Sequence, residues 1–297
     1  PLYGGSDHFI KHILPEFGIH TIGIHADHTK AEIIEKIETS EANDRLKLIF
    51  VETPANPTNA IIDITMCHKI AEHFSTEDNT PLLAVDNTYM GPLWSHPLKL
   101  GADLVLYSAT KYIGGHSDVI AGACLGSKAL MARIKGLRTF LGNMAGPWTG
   151  WLLMRSLETL KPRMEKQAEN ARMVADFLRD HPKVESVFYL GHLRPGSQQY
   201  KVYQNQYSSA GAMISFDIKG GEKEAFTFLN KLQLFHLAVS LGSTESLAQH
   251  PYTMTHADVS SEEKNALGLT EKLARLSIGV EDGDDLIWDI TQALEQV

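Results

Sequence analysis

Cysteine is scarce in this chain: Cys67 and Cys124 are the only two in 297 residues. Neither is grouped with histidines at metal-ligand spacing. That usage rules out a disulfide framework and fits a reducing cytoplasm. Long apolar runs are missing too, and no stretch approaches the roughly 20 residues a membrane helix needs. Basic charge is outnumbered, with 27 Lys and Arg against 36 Asp and Glu and a formal net charge of -9. This balance argues against nucleic acid or an anionic membrane as partner. Repeats and low-complexity tracts are absent. His8 and His12 share a helical i, i+4 face, but the glutamate of H-E-x-x-H is not between them, and His116, His250 and His256 are solitary. What remains is a chain with 43% hydrophobic residues, enough for one large core and a smaller second one.

The chemistry gathers where apolar runs end. Asp103 to Tyr107 (DLVLY) reads as a strand and is followed by Ser108-Ala109-Thr110-Lys111 and then Tyr112-Ile113-Gly114-Gly115-His116. A chain leaving the carboxyl end of such a strand lies where open α/β sheets bind ligands, so Lys111 is expected to face a site. A lysine amine condenses with an aldehyde, and the aldehyde cofactor held this way is pyridoxal phosphate, with Ser108 and Thr110 placed to donate to its phosphate. Upstream, Pro81 to Val85 ends in Asp86, a candidate anionic partner for a protonated pyridine nitrogen. Leu46 to Phe50 (LKLIF) ends in Val51-Glu52-Thr53-Pro54-Ala55-Asn56-Pro57-Thr58. The two prolines stiffen that loop around Asn56, whose amide could meet a ring hydroxyl. Taken singly, Lys111 reads as a solvated lysine and Asp86 as a turn residue. In order along successive strand ends, the three read as a site.

Ser108-Ala109-Thr110-Lys111 is also S-x-x-K, the acylating motif of penicillin-binding proteins. That motif opens a helix, however, which Gly114-Gly115 would break, and neither S-D-N nor K-T-G occurs.

The segments ETPANPT, AVDNTY and SATKYIGGHSDVIAG resemble the Cys/Met-metabolism (trans-sulfuration) family of pyridoxal-phosphate enzymes. The likeness continues in order through Leu237 to Gly242, Glu245-Ser246-Leu247, Met254-Thr255-His256 and Arg275 to Glu281. It implies the aminotransferase-like (fold type I) α/β fold, with a mostly parallel sheet in the large domain, a smaller α+β carboxy-terminal domain, and dimers paired into tetramers. It also implies Lys111 as the cofactor-condensing lysine, Asp86 on the pyridine nitrogen, Ser108 and Thr110 on the phosphate, and Asn56 near the ring hydroxyl. Ser240 and Arg275 would bind a substrate carboxylate. Tyr3, in Leu2-Tyr3-Gly4-Gly5, would stack on the ring and assist proton traffic. The family also carries an upstream arm, which reaches a neighbouring subunit's site, and a glycine-bearing phosphate loop. Pro1 falls within what resembles the large domain, so both lie outside this chain.

The resemblance implies γ-elimination from a sulfur-containing amino acid, with γ-replacement as the alternative and a non-catalytic relative as a second one. Two positions bear on the branch and disagree. Val239 stands where cystathionine-handling members commonly place a glutamate, and Gly5 where methionine γ-lyases carry cysteine.

Along the chain, apolar runs alternate with helical stretches such as Ile64 to Phe74 in a βαβ rhythm. A long helical region spans Gly150 to Leu178, interrupted by Pro162, which places the domain change there, with a large domain over 1–161 and a carboxy-terminal α+β domain over 162–297. In the latter, strands are expected near Val184 to Leu190, Ala212 to Ile218, Leu234 to Val239 and Leu273 to Val280. Helices are expected at Glu222 to Leu232 and Asp284 to Leu294, the last opened by the Asp282 to Asp285 cluster.

Overall fold

The computed structural model describes residues 2–40, 45–255, 264 and 267–297; His256 lies outside them. The first sheet has the order β1-β2-β3-β4, built from β1 (Leu48–Glu52), β2 (Leu82–Asp86), β3 (Leu104–Ser108) and β4 (Gly122–Gly126). β1, β2 and β3 run parallel and β4 pairs antiparallel with β3. Helices α1 (Lys30–Glu38) and α2 (Ile64–His73) cover one face, burying Ile33, Ile37, Ile64, Cys67 and Ile70 against Ile49, Val51, Leu83 and Val85. Each helix begins on a side-chain cap. Thr29 and Glu32 form a reciprocal capping box, and Asp63 accepts from Met66 N; a cap of either kind contributes about 1 kcal/mol.

Next come α3 (Lys128–Leu141), α4 (Pro147–Leu157) and the 21-residue α5 (Leu160–Asp180). Pro162 lies in the first turn of α5, where a missing N–H breaks no intrahelical bond. The helix at 128–141 was not among the sequence expectations. None of its residues is fully buried, and Leu137, Phe140 and Leu141 are largely exposed.

The second sheet has the order β5-β6-β9-β8-β7, from β5 (Val184–Phe188), β6 (Met213–Ile218), β7 (His236–Leu237), β8 (Leu247–Gln249) and β9 (Leu273–Ser277). It is antiparallel except for the β7–β8 pair. α6 (Gln198–Gln206) precedes β6, while α7 (Glu222–Lys231) and α8 (Gly283–Leu294) follow in chain order. Residues of α5, α7 and α8 share one core with β6 and β9, and Tyr89, Met90, Trp94 and Tyr112 from the first sheet's loops join it. Asp282 is the N-cap of α8, as its acidic cluster suggested.

One expectation needs correction. The strand expected at Leu234 to Val239 is reduced to His236–Leu237. Asp289, buried on α8, accepts from the backbone N–H groups of Gln233, Leu234 and Phe235 at 2.7, 2.8 and 3.1 Å, which removes those amides from any ladder. At the other end, the Val239 and Ser240 carbonyls are taken by an arginine.

Candidate active site

The parallel strands β1, β2 and β3 end side by side, with Glu52 and Asp86 in register across the pair. Asp86 Oδ1 accepts from the backbone N–H and the hydroxyl of Thr88, at 2.9 and 2.6 Å. Thr88 Oγ1 in turn accepts from Ser108 N at 2.8 Å, tying the β2 and β3 ends together. Asp86 Oδ2 makes no hydrogen bond with the described residues, so one oxygen remains for a ligand. Burial raises the Asp86 carboxyl above its usual range, opposed by the Thr88 bonds.

Lys111 follows β3 in the turn Thr110–Gly114, with non-helical dihedrals of φ -81° and ψ -126°. Its Nζ donates to Ser240 Oγ at 2.9 Å. Burial, and then the nearby Arg275 charge, push the amine down to about 8. At pH 8 about half of such an amine is unprotonated, roughly two orders of magnitude more than in an ordinary lysine. The rate at which an amine-reactive reagent labels Lys111, followed by peptide mapping against pH, is therefore expected to rise through a midpoint near 8. A midpoint at the ordinary 10.5 would contradict this environment.

Arg275, on β9, is 1% exposed. Its guanidinium donates to Asn56 Oδ1 at 3.0 Å and to the Val239 and Ser240 carbonyls at 3.2 and 2.7 Å. With the Gln249 amide turned to satisfy both groups, its oxygen lies 3.3 Å from Nε and 2.9 Å from Nη1. These partners are all neutral oxygens, and no carboxylate pairs with Arg275 among the described residues. A buried cation without a counter-anion is costly, so this is a place suited to a ligand carboxylate.

Asn56 is buried, and its Oδ1 also accepts from the Tyr89 hydroxyl at 2.5 Å, leaving Nδ2 as the group free to donate outward. The Ser108 hydroxyl makes no hydrogen bond to the described residues. Thr110 exchanges hydrogen bonds with Ala121, donating to its carbonyl at 3.2 Å and accepting from its N–H at 3.0 Å, so the Thr110 hydroxyl is already committed. Tyr3 joins through its main chain. Its N–H donates to Glu52 Oε2 at 2.7 Å, while Asn56 N donates to Oε1 at 3.1 Å. Burial first and the Asp86 charge second push the Glu52 carboxyl up to about 7. The Val239 side chain is about half exposed beside its engaged carbonyl.

Lys111, Ser240, Arg275 and Asn56 therefore form one connected cluster. Asp86 and Ser108 are linked through Thr88, and Tyr3 is tied in by Glu52. Glu52, Thr88, Tyr89 and Gln249 were not singled out from sequence, although the first three lie inside the motifs quoted above. A separate cleft of about 370 Å³ between α5 and the loops after β5 and α6 is lined by Arg172, Asp176, Arg179, Tyr189, His192 and Tyr203. It contains none of the predicted residues, and its Arg179 is already paired with Asp176 and Asp180. No cluster of three or more potential metal ligands occurs among the described residues.

The site suits pyridoxal phosphate. It offers an amine that is about half neutral at pH 8, an open carboxylate oxygen on Asp86, an open amide on Asn56 and an uncommitted hydroxyl on Ser108. Comparison with known proteins agrees. The family model for Cys/Met metabolism PLP-dependent enzymes matches residues 1–295. The chain is 41% identical over 299 residues to an L-methionine gamma-lyase of Fusobacterium nucleatum subsp. nucleatum, covering 100% of this chain and 72% of that protein. It is 42% identical over 295 residues to a cystathionine gamma-lyase of Sus scrofa, covering 99% and 70%. The crystal structure of cystathionine gamma-lyase from Lactobacillus plantarum complexed with L-serine superposes with a TM-score of 0.90 at 34% identity, covering 100% of this chain and 74% of that one. Sequence, fold and site converge: this chain belongs to the Cys/Met metabolism PLP-dependent enzymes, with pyridoxal phosphate as cofactor and amino acids as substrates.

Proposed function

We propose that the protein is a γ-lyase, converting a sulfur-containing amino acid and one water into a thiol, a 2-keto acid and ammonia. The observation that carries this reading is the 2.9 Å contact of Lys111 Nζ with Ser240 Oγ, beside a buried Arg275 that has no anionic partner among the described residues. Bound pyridoxal phosphate supplies an electron-withdrawing ring that stabilises negative charge developing at the substrate Cα. Lys111 would tether it, Asp86 Oδ2 would keep its ring nitrogen protonated, Asn56 Nδ2 would meet its ring hydroxyl, and Ser108 would donate to its phosphate. Thr110 joins Ser108 if its 3.2 Å bond to Ala121 is exchanged.

Arg275 and Ser240 would receive the substrate carboxylate, Arg275 exchanging its bonds to the Val239 and Ser240 carbonyls for it, which would supply the missing anion and fix Cα near Lys111. Nζ, freed when the substrate amine takes its place on the cofactor and about half neutral at pH 8, would take the Cα proton. Once it has passed that proton on, Nζ would take a second one from Cβ, and the Tyr3 phenol would protonate the departing sulfur. Its segment is held at the β1 end by Glu52.

Val239 puts an uncharged side chain at the mouth of the carboxylate site, which favours a short thioether over a substrate with a distal ammonium. Val239→Glu is therefore expected to lower kcat/KM for methionine and raise it for cystathionine, each by about tenfold, the scale of one charge-assisted contact. γ-Replacement is the second reading, carried by Gly5. A Cβ there would stand 2.9 Å from the Tyr3 ring, so this residue bears on the proposed proton donor. Keto-acid release from methionine, cystathionine and O-acetylhomoserine, with and without added thiol, separates the branches. Release from methionine without thiol is expected. Turnover only of O-acetylhomoserine with thiol would replace elimination with replacement, and keto acid from cystathionine alone would overturn the argument from Val239.

We also propose a homo-oligomer. Phe140 and Leu141 at the end of α3 and Trp148, Trp151 and Met154 on α4 are each exposed, with the two tryptophans stacked, and exposed apolar residues so concentrated in sequence are of a kind that marks interfaces. A monomer by light scattering of the full-length protein would refute it. A domain change at 161/162, in the first turn of α5, and a cytoplasmic location complete the reading. No helix among the described residues is long and apolar enough to cross a membrane.

A further inference from the structure

α5 buries polar side chains where a purely structural helix would bury apolar ones. Arg163, Gln167 and Asn170 recur at i, i+4 and i+7, so they line one face, and they are 7%, 0% and 0% exposed. Each reaches the main chain of a different loop. Arg163 Nη1 donates to the Tyr112 carbonyl, one residue after Lys111, at 2.9 Å. Its Nη2 and Nε are anchored on Ser156 O and Thr159 Oγ1, at 2.9 and 3.1 Å. Gln167 Nε2 donates at 2.7 Å to the carbonyl of Ser243, in the loop of Ser240. Asn170 Nδ2 donates to the Gly279 and Glu281 carbonyls, at 3.2 and 2.7 Å, just past the strand that carries Arg275.

The same loops are locked to one another. Thr244 N donates to Gly115 O at 3.0 Å, and Val280 N to Thr244 O at 2.9 Å. Two glycines at positive φ allow the close approach. A Cβ on Gly115 would lie 2.0 Å from Arg163 Nη1, and one on Gly242 would lie 2.9 Å from Tyr112 N. Below this stripe the buried face of α5 turns apolar, with Ala171, Val174, Ala175 and Leu178. The polar half therefore sits where the three loops converge.

We propose that Arg163, Gln167 and Asn170 are positioning residues, and that α5 is the bar on which the loops bearing Lys111, Ser240 and Arg275 are set in register. None of the three touches the reacting atoms. Arg163 acts on Lys111, Gln167 on Ser240, and Asn170 on the end of β9. The inference rests on the γ-lyase reading for its kinetic arm only.

The test uses the full-length protein with Arg163→Met, Arg163→Lys and Gln167→Met. The first readout, made without cofactor, is the pH midpoint for chemical labelling of Lys111. The second is the rate at which Lys111 captures pyridoxal phosphate, trapped by borohydride. The third is the split between KM and kcat. Arg163→Met is expected to move the labelling midpoint upward toward that of a free lysine and to slow capture about 10- to 100-fold, the scale of an ångström-level misplacement. Arg163→Lys recovers part of both. Gln167→Met leaves labelling and capture as in the parent and raises KM.

Variants that melt lower yet label, capture and bind as the parent does would overturn the inference, since a merely structural role moves only the melting point. If Arg163→Met does not fold, Arg163→Lys and the KM of Gln167→Met decide it. If the parent protein itself captures no cofactor on Lys111, the γ-lyase reading fails, while the cofactor-free labelling midpoints still decide the positioning role.

Discussion

Lys111→Ala is expected to abolish measurable keto-acid release and leave a protein that is colourless when mixed with pyridoxal phosphate. The residue has two tasks, tethering the cofactor and moving the Cα proton, and proton transfer alone is worth about 10²- to 10⁴-fold. The fold should survive. Among the described residues the amine makes a single hydrogen bond, to Ser240 Oγ, worth about 1 kcal/mol, so the melting temperature is expected to fall by no more than a few degrees. Release of keto acid within tenfold of the parent rate would show that another group does the work. A large loss of stability would mean that Lys111 is part of the scaffold rather than the site.

Arg275→Lys is expected to raise KM by about 10- to 150-fold while lowering kcat much less. A hydrogen bond to a charged group contributes about 1.5–3 kcal/mol, which converts to that range at 1.4 kcal/mol per tenfold. The lysine keeps the charge but not the planar fork, and so cannot hold the Asn56 oxygen and the Val239 and Ser240 carbonyls together as Arg275 does. An unchanged KM would place the substrate carboxylate elsewhere.

The cluster was readable in the sequence where local pattern and chemistry coincide. The apolar runs before Glu52, Asp86 and Ser108 are buried parallel strands, and a polar residue ending such a run has little to do except face the sheet margin. The two-residue β7 was misread because what ends it is not local. Asp289 takes the amides of Gln233, Leu234 and Phe235 from more than 50 residues away. β8, with three residues, is too short to show a period. α3 escaped notice because a helix with no buried residue has no face that the rest of the chain explains. Glu52, Arg163, Gln167 and Asn170 were silent for another reason. Their partners are backbone carbonyls and amides, which leave no trace in residue identity.

The central claim is that a single half-buried amine at the β3 end anchors the cofactor opposite Asp86. Borohydride reduction of the full-length protein with pyridoxal phosphate, followed by peptide mass spectrometry, tests it directly. The account predicts one reduced adduct, on Lys111, formed faster as pH rises through about 8, and it predicts that unreduced cofactor is lost to solution more readily from Asp86→Ala than from the parent. An adduct spread over surface lysines with Lys111 unmodified would contradict it.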